Sequence, residues 1–433
     1  MTGGGDTSLR KMRLPERSSA GRWLLPSLIA LGCIAYVYRF PVGIGNASLF
    51  RLNGLIIGLV VAVRFLGWSA RQAAQSLQQL IVPFCVVGAI TLIAVGESAV
   101  RVLPSAYAAD SLVQTINAVI FLLVFAFIDS RGALLKLIRA YVAVSFIEAG
   151  IAVEAFISGK LMFSELVAEK GADFFSDLSL VNESDGLRRL TGTFFDPNFY
   201  GIYLCTVVAL ASWLLLRQEG SRTEKIAVAL SVVLIFLTAS RTAMIGLCVV
   251  GAVLLVTEKR ARRMLIVATL MVAPFIVGAF VLFSASPLLE RILSGQSFED
   301  RMAFAARGMA AFARSPILGS GTIALIDPDS GFATAHDVYL SVLGKFGIIG
   351  AGVYAAFIFS PVIVNGRNGK AIGDRTLAAL CVLPLAGMYL SYDFFQFLEF
   401  QYVIYAIAYA AIFINHSDNS VAAPLYLEET ILK

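Results

Sequence analysis

Runs of about 18 or more mainly apolar residues recur from Trp23 to Ile414. This constrains the fold more than any other feature. A bilayer core about 30 Å thick takes about 20 apolar residues per helix, and every backbone polar group inside it must be paired. Of the 433 residues, 58% are hydrophobic and 15% charged, whereas a soluble domain has about 25% charged residues. A membrane β-barrel would alternate polar and apolar residues in segments of about ten, and this chain does not. The expected fold class is therefore an all-α polytopic membrane protein with about 12 transmembrane helices. The spans are placed near 23–38, 49–66, 80–96, 112–128, 139–157, 194–216, 226–239, 242–257, 264–283, 347–364, 376–392 and 399–414. They form one membrane domain, 23–414, between a basic tail, 1–22, and a short tail, 415–433.

Charge placement orients this domain. Arg10, Lys11, Arg13, Arg17 and Arg22 lie in the first tail, and Lys259, Arg260, Arg262 and Arg263 in one short loop. With both termini inside, these and the 366–375 loop share the cytoplasmic side, as the positive-inside rule requires. Two long loops, about 158–193 and 284–346, then lie outside and contain short helices. Long loops in a compact chain are usually functional or disordered. The first is acidic, with Glu165, Glu169, Asp173, Asp177, Glu183 and Asp185. No cleavable leader is expected, because the first 22 residues are polar and basic. The five cysteines fall inside expected spans without metal-ligand spacing and read as small buried side chains. No basic stripe with interleaved aromatics suggests nucleic acid.

Four constellations could carry chemistry. In the first, Arg188 and Arg189 stand where the first long loop re-enters the membrane, ahead of Asp196-Pro197-Asn198. Broken backbone at membrane depth is tolerated only inside protein or along a cavity. These residues fit either a ligand site or a snorkelling pair followed by a helix cap. The second is Thr238-Ala239-Ser240-Arg241-Thr242, a short outer turn between two apolar helices. An inward-pointing Arg241 there would need an anion, and an outward one could snorkel.

The third begins at Ser297, which with Asp300 fits a capping box opening a helix that carries Arg301, Arg307 and Arg314. At about 100° per residue, Arg307 and Arg314 share a face and Arg301 points elsewhere. Arg314-Ser315-Pro316-Ile317-Leu318-Gly319-Ser320-Gly321 then reads as a helix stop and a tight turn. In the fourth, Thr334 with Asp337 fits a second capping box, which places His336 in the first turn of a short helix followed by Tyr339. His336 is one of only two histidines. It reads as a structural residue or as a general base.

Other signals are weaker. Asp327-Pro328-Asp329 fits a plain turn better than a metal pair. Glu148 and Glu154 share one span but lie about 120° apart, so they need not pair. No Walker A loop, dinucleotide loop or zinc spacing is present.

Taken together, the ordered motifs resemble those of the bacterial O-antigen ligase/O-antigen polymerase family. They are R-x-x-G-T-F-x-x-P-N at Arg189–Asn198, T-x-S-R at Thr238–Arg241 and an arginine-led helix from Arg301. After these come S-P-x-L-G-x-G at Ser315–Gly321 and A-H-x-x-Y-L running into G-x-x-G, from Ala335 to Gly350. Two positions depart from the pattern: Asp337 where the family more often has Asn, and Asp196 where Asn or Gly is common.

The resemblance implies a GT-C-like fold in the bacterial inner membrane with the active site facing the periplasm. It implies a metal-independent, inverting glycosyltransferase without a cofactor. The donor would be a glycan on undecaprenyl pyrophosphate and the acceptor a second glycan or lipid A–core. Membrane lipid, and a chain-length regulator or flippase, complete the implied partners. By this resemblance His336 takes the proton from the acceptor hydroxyl, Arg189 and Arg241 stabilise the departing pyrophosphate, and Arg301 either joins them or orients the donor. Arg188, Asp196, Asn198 and Tyr339 are the further substrate contacts. The competing reading is a twelve-span transporter or flippase of lipid-linked glycans, which would favour similar halves. The two long loops follow the fifth and ninth spans, an asymmetric placement.

Overall fold

The computed structural model describes residues 21–34, 39–42, 45–48, 105–128, 130–158, 182–184, 187–194, 196–258, 296–326, 335, 337–367, 374–391 and 399–421. The spans expected near 49–66, 80–96 and 264–283 lie outside the described residues. So do His336, Asp327, Asp329 and most of the acidic stretch of the first long loop.

Ten α-helices dominate the described residues. They are α1 (Gly21–Ile34), α2 (Ser105–Phe127), α3 (Arg131–Ser158), α4 (Pro197–Leu216) and α5 (Arg222–Leu237), then α6 (Arg241–Thr257), α7 (Gln296–Arg314), α8 (Val338–Arg367), α9 (Arg375–Tyr389) and α10 (Glu399–Val421). Two small antiparallel hairpins accompany them. One pairs β1 (Arg39–Val42) with β2 (Gly45–Ser48), and the other pairs β3 (Asn182–Ser184) with β4 (Leu187–Arg189). Among the described residues, three helices are long and apolar enough to cross a membrane: Arg131–Ser158, Pro197–Leu216 and Val338–Val364. Stretches of α1, α2, α6, α9 and α10 are shorter apolar helices.

The core is built around α4, which packs against α3, α5, α6 and α9 and is buried almost throughout, from Tyr200 to Leu214. A helix apolar on all sides belongs inside a bundle. α9 continues the core to α8 and α10, and α10 packs on α2. There Phe357 meets Phe121 edge to face at 5.2 Å, and Tyr409 stacks on Phe357 at 5.9 Å, both offset geometries that aromatic pairs prefer.

One end of this bundle is tied by ions. The Arg217 guanidinium, at the C-cap of α4, grips Asp374 through Nε and Nη2 at 2.9 and 3.0 Å. Asp374 caps α9 and also accepts from Trp213 Nε1. The hydrogen-bonded carboxylate holds Arg217 above its ordinary pKa. Arg131 pairs with Glu219 at the same end. The expected cytoplasmic loops start here.

Two expected helix starts need correction. Ser297 is not an N-cap, because α7 is already helical at Gln296. The helix after the second long loop begins at Val338, with the Asp337 carboxylate accepting from Leu340 N at 2.9 Å. Asp337 is thus the capping residue, and His336 precedes the helix instead of standing in its first turn. At the second start Asp337 takes the cap that the spacing gave to Thr334.

α8 is two helical segments joined at Gly347, whose φ of 63° and ψ of −165° suit glycine alone. The Ser315–Gly321 motif is docked at this kink. Ile348 N and Ile349 N donate to the carbonyls of Pro316 and Ile317, while Ser320 N and Gly321 N donate to those of Gly344 and Lys345. One loop therefore supplies partners for the end of the first segment and the start of the second, groups that a helix leaves unpaired.

Candidate active site

The end of the bundle opposite Arg217 and Asp374 gathers most of the sequence-predicted residues. α4 starts there: Asp196 is its N-cap, with Oδ1 accepting from Asn198 N at 2.6 Å, and Pro197 follows at the first helical position. α6 starts beside it. Ser240 caps α6 by accepting from Ala243 N at 3.2 Å, and its hydroxyl donates to Asn198 Oδ1 at 2.8 Å. One side-chain bond thus holds the N-termini of α4 and α6 together. Each N-terminus carries roughly half a positive charge from its aligned peptide dipoles. Arg241, the first residue of α6, adds a full charge and is half-buried.

Arg189 is buried behind this turn, 6% exposed. Its Nε donates to Thr238 O at 2.9 Å and its Nη2 to Ala239 O at 3.4 Å. Leu190 N donates to Leu237 O at 3.2 Å. The carbonyls at the end of α5 lack helical partners and sit at the negative end of its dipole, so a guanidinium is a favourable cap. The turn needs such support, because Ala239 takes a left-handed φ of 49°, which is uncommon for a residue with a Cβ. Arg188 is opposite Glu183 in the β3–β4 hairpin.

Between Arg189 and Asp196 the chain makes the 3-10 turn Gly192–Phe194, pinned by a residue of α3. Glu148, fully buried, accepts from Thr193 N at 2.7 Å and is 3.0 Å from the Thr193 hydroxyl. That hydroxyl also donates to Ile34 O. Gly192 has φ +56°, and a Cβ there would stand 2.2 Å from Glu148 Oε1. Phe194 is packed among Tyr200, Tyr203 and Phe400. The segment from Arg189 to Asn198 is therefore held at three points: the α5–α6 turn, Glu148 and Ser240.

The α8 side reaches the same end through α9. Tyr339, in the first turn of α8, donates to Ala386 O at 2.8 Å. Ser391, just past α9, donates to Thr242 Oγ1 at 2.8 Å. The end of α9 thus bridges the first turns of α8 and α6, placing the chain next to His336 at the bundle end that carries Arg241. Arg301 is half-buried on α7. By helical phase it shares the side of Gly308, where an added Cβ would meet Ala335 Cβ at 2.8 Å. Arg314 is exposed and Arg307 lies over the Phe304 ring at 5.0 Å. Arg307 is half-buried like Arg301, so only Arg314 of the three is exposed.

Glu148 lies outside the motifs, and Ser240, inside T-x-S-R, had no role of its own in the sequence; both support the site. A buried acid in an apolar span is a signal by itself. Its partner, a backbone N–H from a distant turn, is not readable from spacing. Among the described residues no three His, Cys, Asp or Glu side chains form a group that could hold a metal ion.

Set beside known proteins, residues 226–355 match a family model described as O-antigen ligase. The match takes in the α5–α6 turn, α7, the Ser315–Gly321 loop, His336 and the first part of α8. The Arg189–Asn198 motif lies outside it. No curated protein and no solved structure matches the chain.

Proposed function

We propose that this chain, an O-antigen ligase-family protein through residues 226–355, transfers a glycan from undecaprenyl pyrophosphate to an acceptor hydroxyl at the periplasmic face of the inner membrane. The observation that carries this reading is the Asn198–Ser240 contact. It joins two helix N-termini beside Arg241 at one end of an apolar bundle. Such a place suits a diphosphate, because the dipole ends and a delocalised guanidinium favour the negative charge that builds on a leaving pyrophosphate.

A sugar on pyrophosphate already carries a good leaving group, so the remaining requirement is a base for the attacking hydroxyl. His336 is the candidate, next to the helix start that Tyr339 ties to α9. Direct displacement would invert the anomeric centre without a metal. Arg241 and Arg301 face the pyrophosphate in this scheme. Arg189 holds the turn that presents Arg241, with its own charge close behind. Arg188, Asp196, Asn198 and Tyr339 border the donor and acceptor. The membrane domain spans 23–414, and the arrangement serves a polymerase, with a second lipid-linked glycan as acceptor, as well as a ligase onto lipid A–core.

Purified protein given lipid-linked repeat units tests the residue roles. Glycan transfer is expected in the wild type and its loss in His336→Ala. Undiminished transfer by that variant would remove the base assignment.

A further inference from the structure

We infer that α7 lies in the plane of the membrane, with its methionine and alanine face seated among the acyl chains of bilayer phospholipid. α7 is not one of the helices able to cross a membrane, yet from Met302 to Ala313 its outward side is apolar. Met302, Ala303, Ala306, Met309, Ala310 and Ala313 are exposed, and by helical phase they share an arc of roughly 120°. The opposite side, with Gly308 and Ala311, packs on α8 and on the 3-10 turn Thr322–Leu325. An aqueous surface helix has the reverse polarity, with its apolar stripe turned inward.

The occupant follows from continuity. Met302 and Met309 are 56% and 50% exposed, and the surface runs on through Ile317 and Leu318, at 65% and 68%. The bonds from Ile348 N to Pro316 O and from Ile349 N to Ile317 O place that loop directly against α8. There Ile348 and Ile349, 60% and 52% exposed, belong to the candidate membrane span Val338–Val364. The apolar face of α7 is thus one sheet with the outward flank of a membrane helix, and acyl chains covering the second also cover the first. Arg314 is exposed at the edge of the arc, where a long cationic side chain reaches headgroup phosphates while its stem stays in the apolar layer. A patch of this extent facing water would promote association instead.

Tryptophan placed on this face tests the proposal without reference to catalysis. Full-length Met302→Trp, Met309→Trp and Ile348→Trp are reconstituted in phosphatidylethanolamine–phosphatidylglycerol bilayers, with or without phospholipid brominated near the top of its acyl chains. Emission added over the wild type is then read against acrylamide in the water phase. All three positions should lose roughly half or more of the added emission to the brominated lipid, as an interfacially seated helix requires, and little to acrylamide. Two results would overturn the inference while Ile348→Trp is quenched by lipid. In one, the α7 tryptophans are quenched by acrylamide alone, placing the face in water. In the other, both quenchers leave them untouched, which means protein covers it. Because the substituted methionines are exposed, both variants are expected to fold, and agreement between them guards against a local perturbation.

Discussion

Arg189 and Arg241 stand on either side of one turn and meet different surroundings. Arg189 is buried, with two donors on the carbonyls that end α5. Truncating it to Ala leaves those carbonyls without their charged partner. The expected cost is about 2–4 kcal/mol, read as a lower unfolding temperature in detergent, with activity falling because the turn is lost. Arg241 opens α6 beside the joined starts of α4 and α6. Arg241→Ala is expected to lower turnover by about 10²–10³. Arg241→Lys should recover only part of it, because an ammonium lacks the bidentate fork. Glu148 is separable from both. Glu148→Ala strands the Thr193 N–H in a dry site at about 1–3 kcal/mol, whereas Glu148→Gln keeps an acceptor and should lose less than half as much in the same unfolding assay. A larger loss in Gln than in Ala would contradict its role as a pin for the 3-10 turn.

At the scale of elements, the motifs turn out to be joints. Arg189–Asn198 is a strap held at both ends by the α5–α6 turn, and Ser315–Gly321 is a clamp on the two segments of α8. The kink at Gly347 shows how tight that clamp is, since a Cβ there would stand 2.3 Å from Ile317 O. Gly347→Ala should therefore cost about 3 kcal/mol or more, from the left-handed backbone and the displaced loop together. Limited proteolysis should then cut near Pro316 faster than in the wild type; unchanged cutting would mean the clamp is dispensable. These joints explain what was legible in the sequence. Apolar runs marked the apolar helices among the described residues, and phase separated Arg301 from Arg314, because both depend on local periodicity. Helix ends were harder. α3 begins at Arg131, well before its apolar run, since Arg131 and Arg139 find partners at Glu219. Ser297 proved to lie inside α7, and Asp337 rather than Thr334 caps α8. The pairing of Glu148 with Thr193, across 45 positions, leaves no trace in spacing at all.

Across the whole molecule the two ends of the bundle differ in chemistry. One carries Arg217 paired with Asp374 and Glu258, and Glu219 paired with Arg131. The other carries the capped starts of α4, α6 and α8, with Arg189 and Arg241. The basic loops expected in the cytoplasm continue from the first end, so the second faces outward in the proposed orientation. A flippase must move its cargo between these ends, whereas a transferase works at one of them, and gathering the motifs at one end favours the transferase. The direct measurement follows carrier and glycan together in sealed vesicles containing purified protein and lipid-linked repeat units. The account predicts that each new glycosidic bond releases one undecaprenyl pyrophosphate, and that Arg241→Ala and His336→Ala each stop both. Movement of the intact lipid-linked glycan across the bilayer, with no change in glycan length and no released carrier, would contradict it.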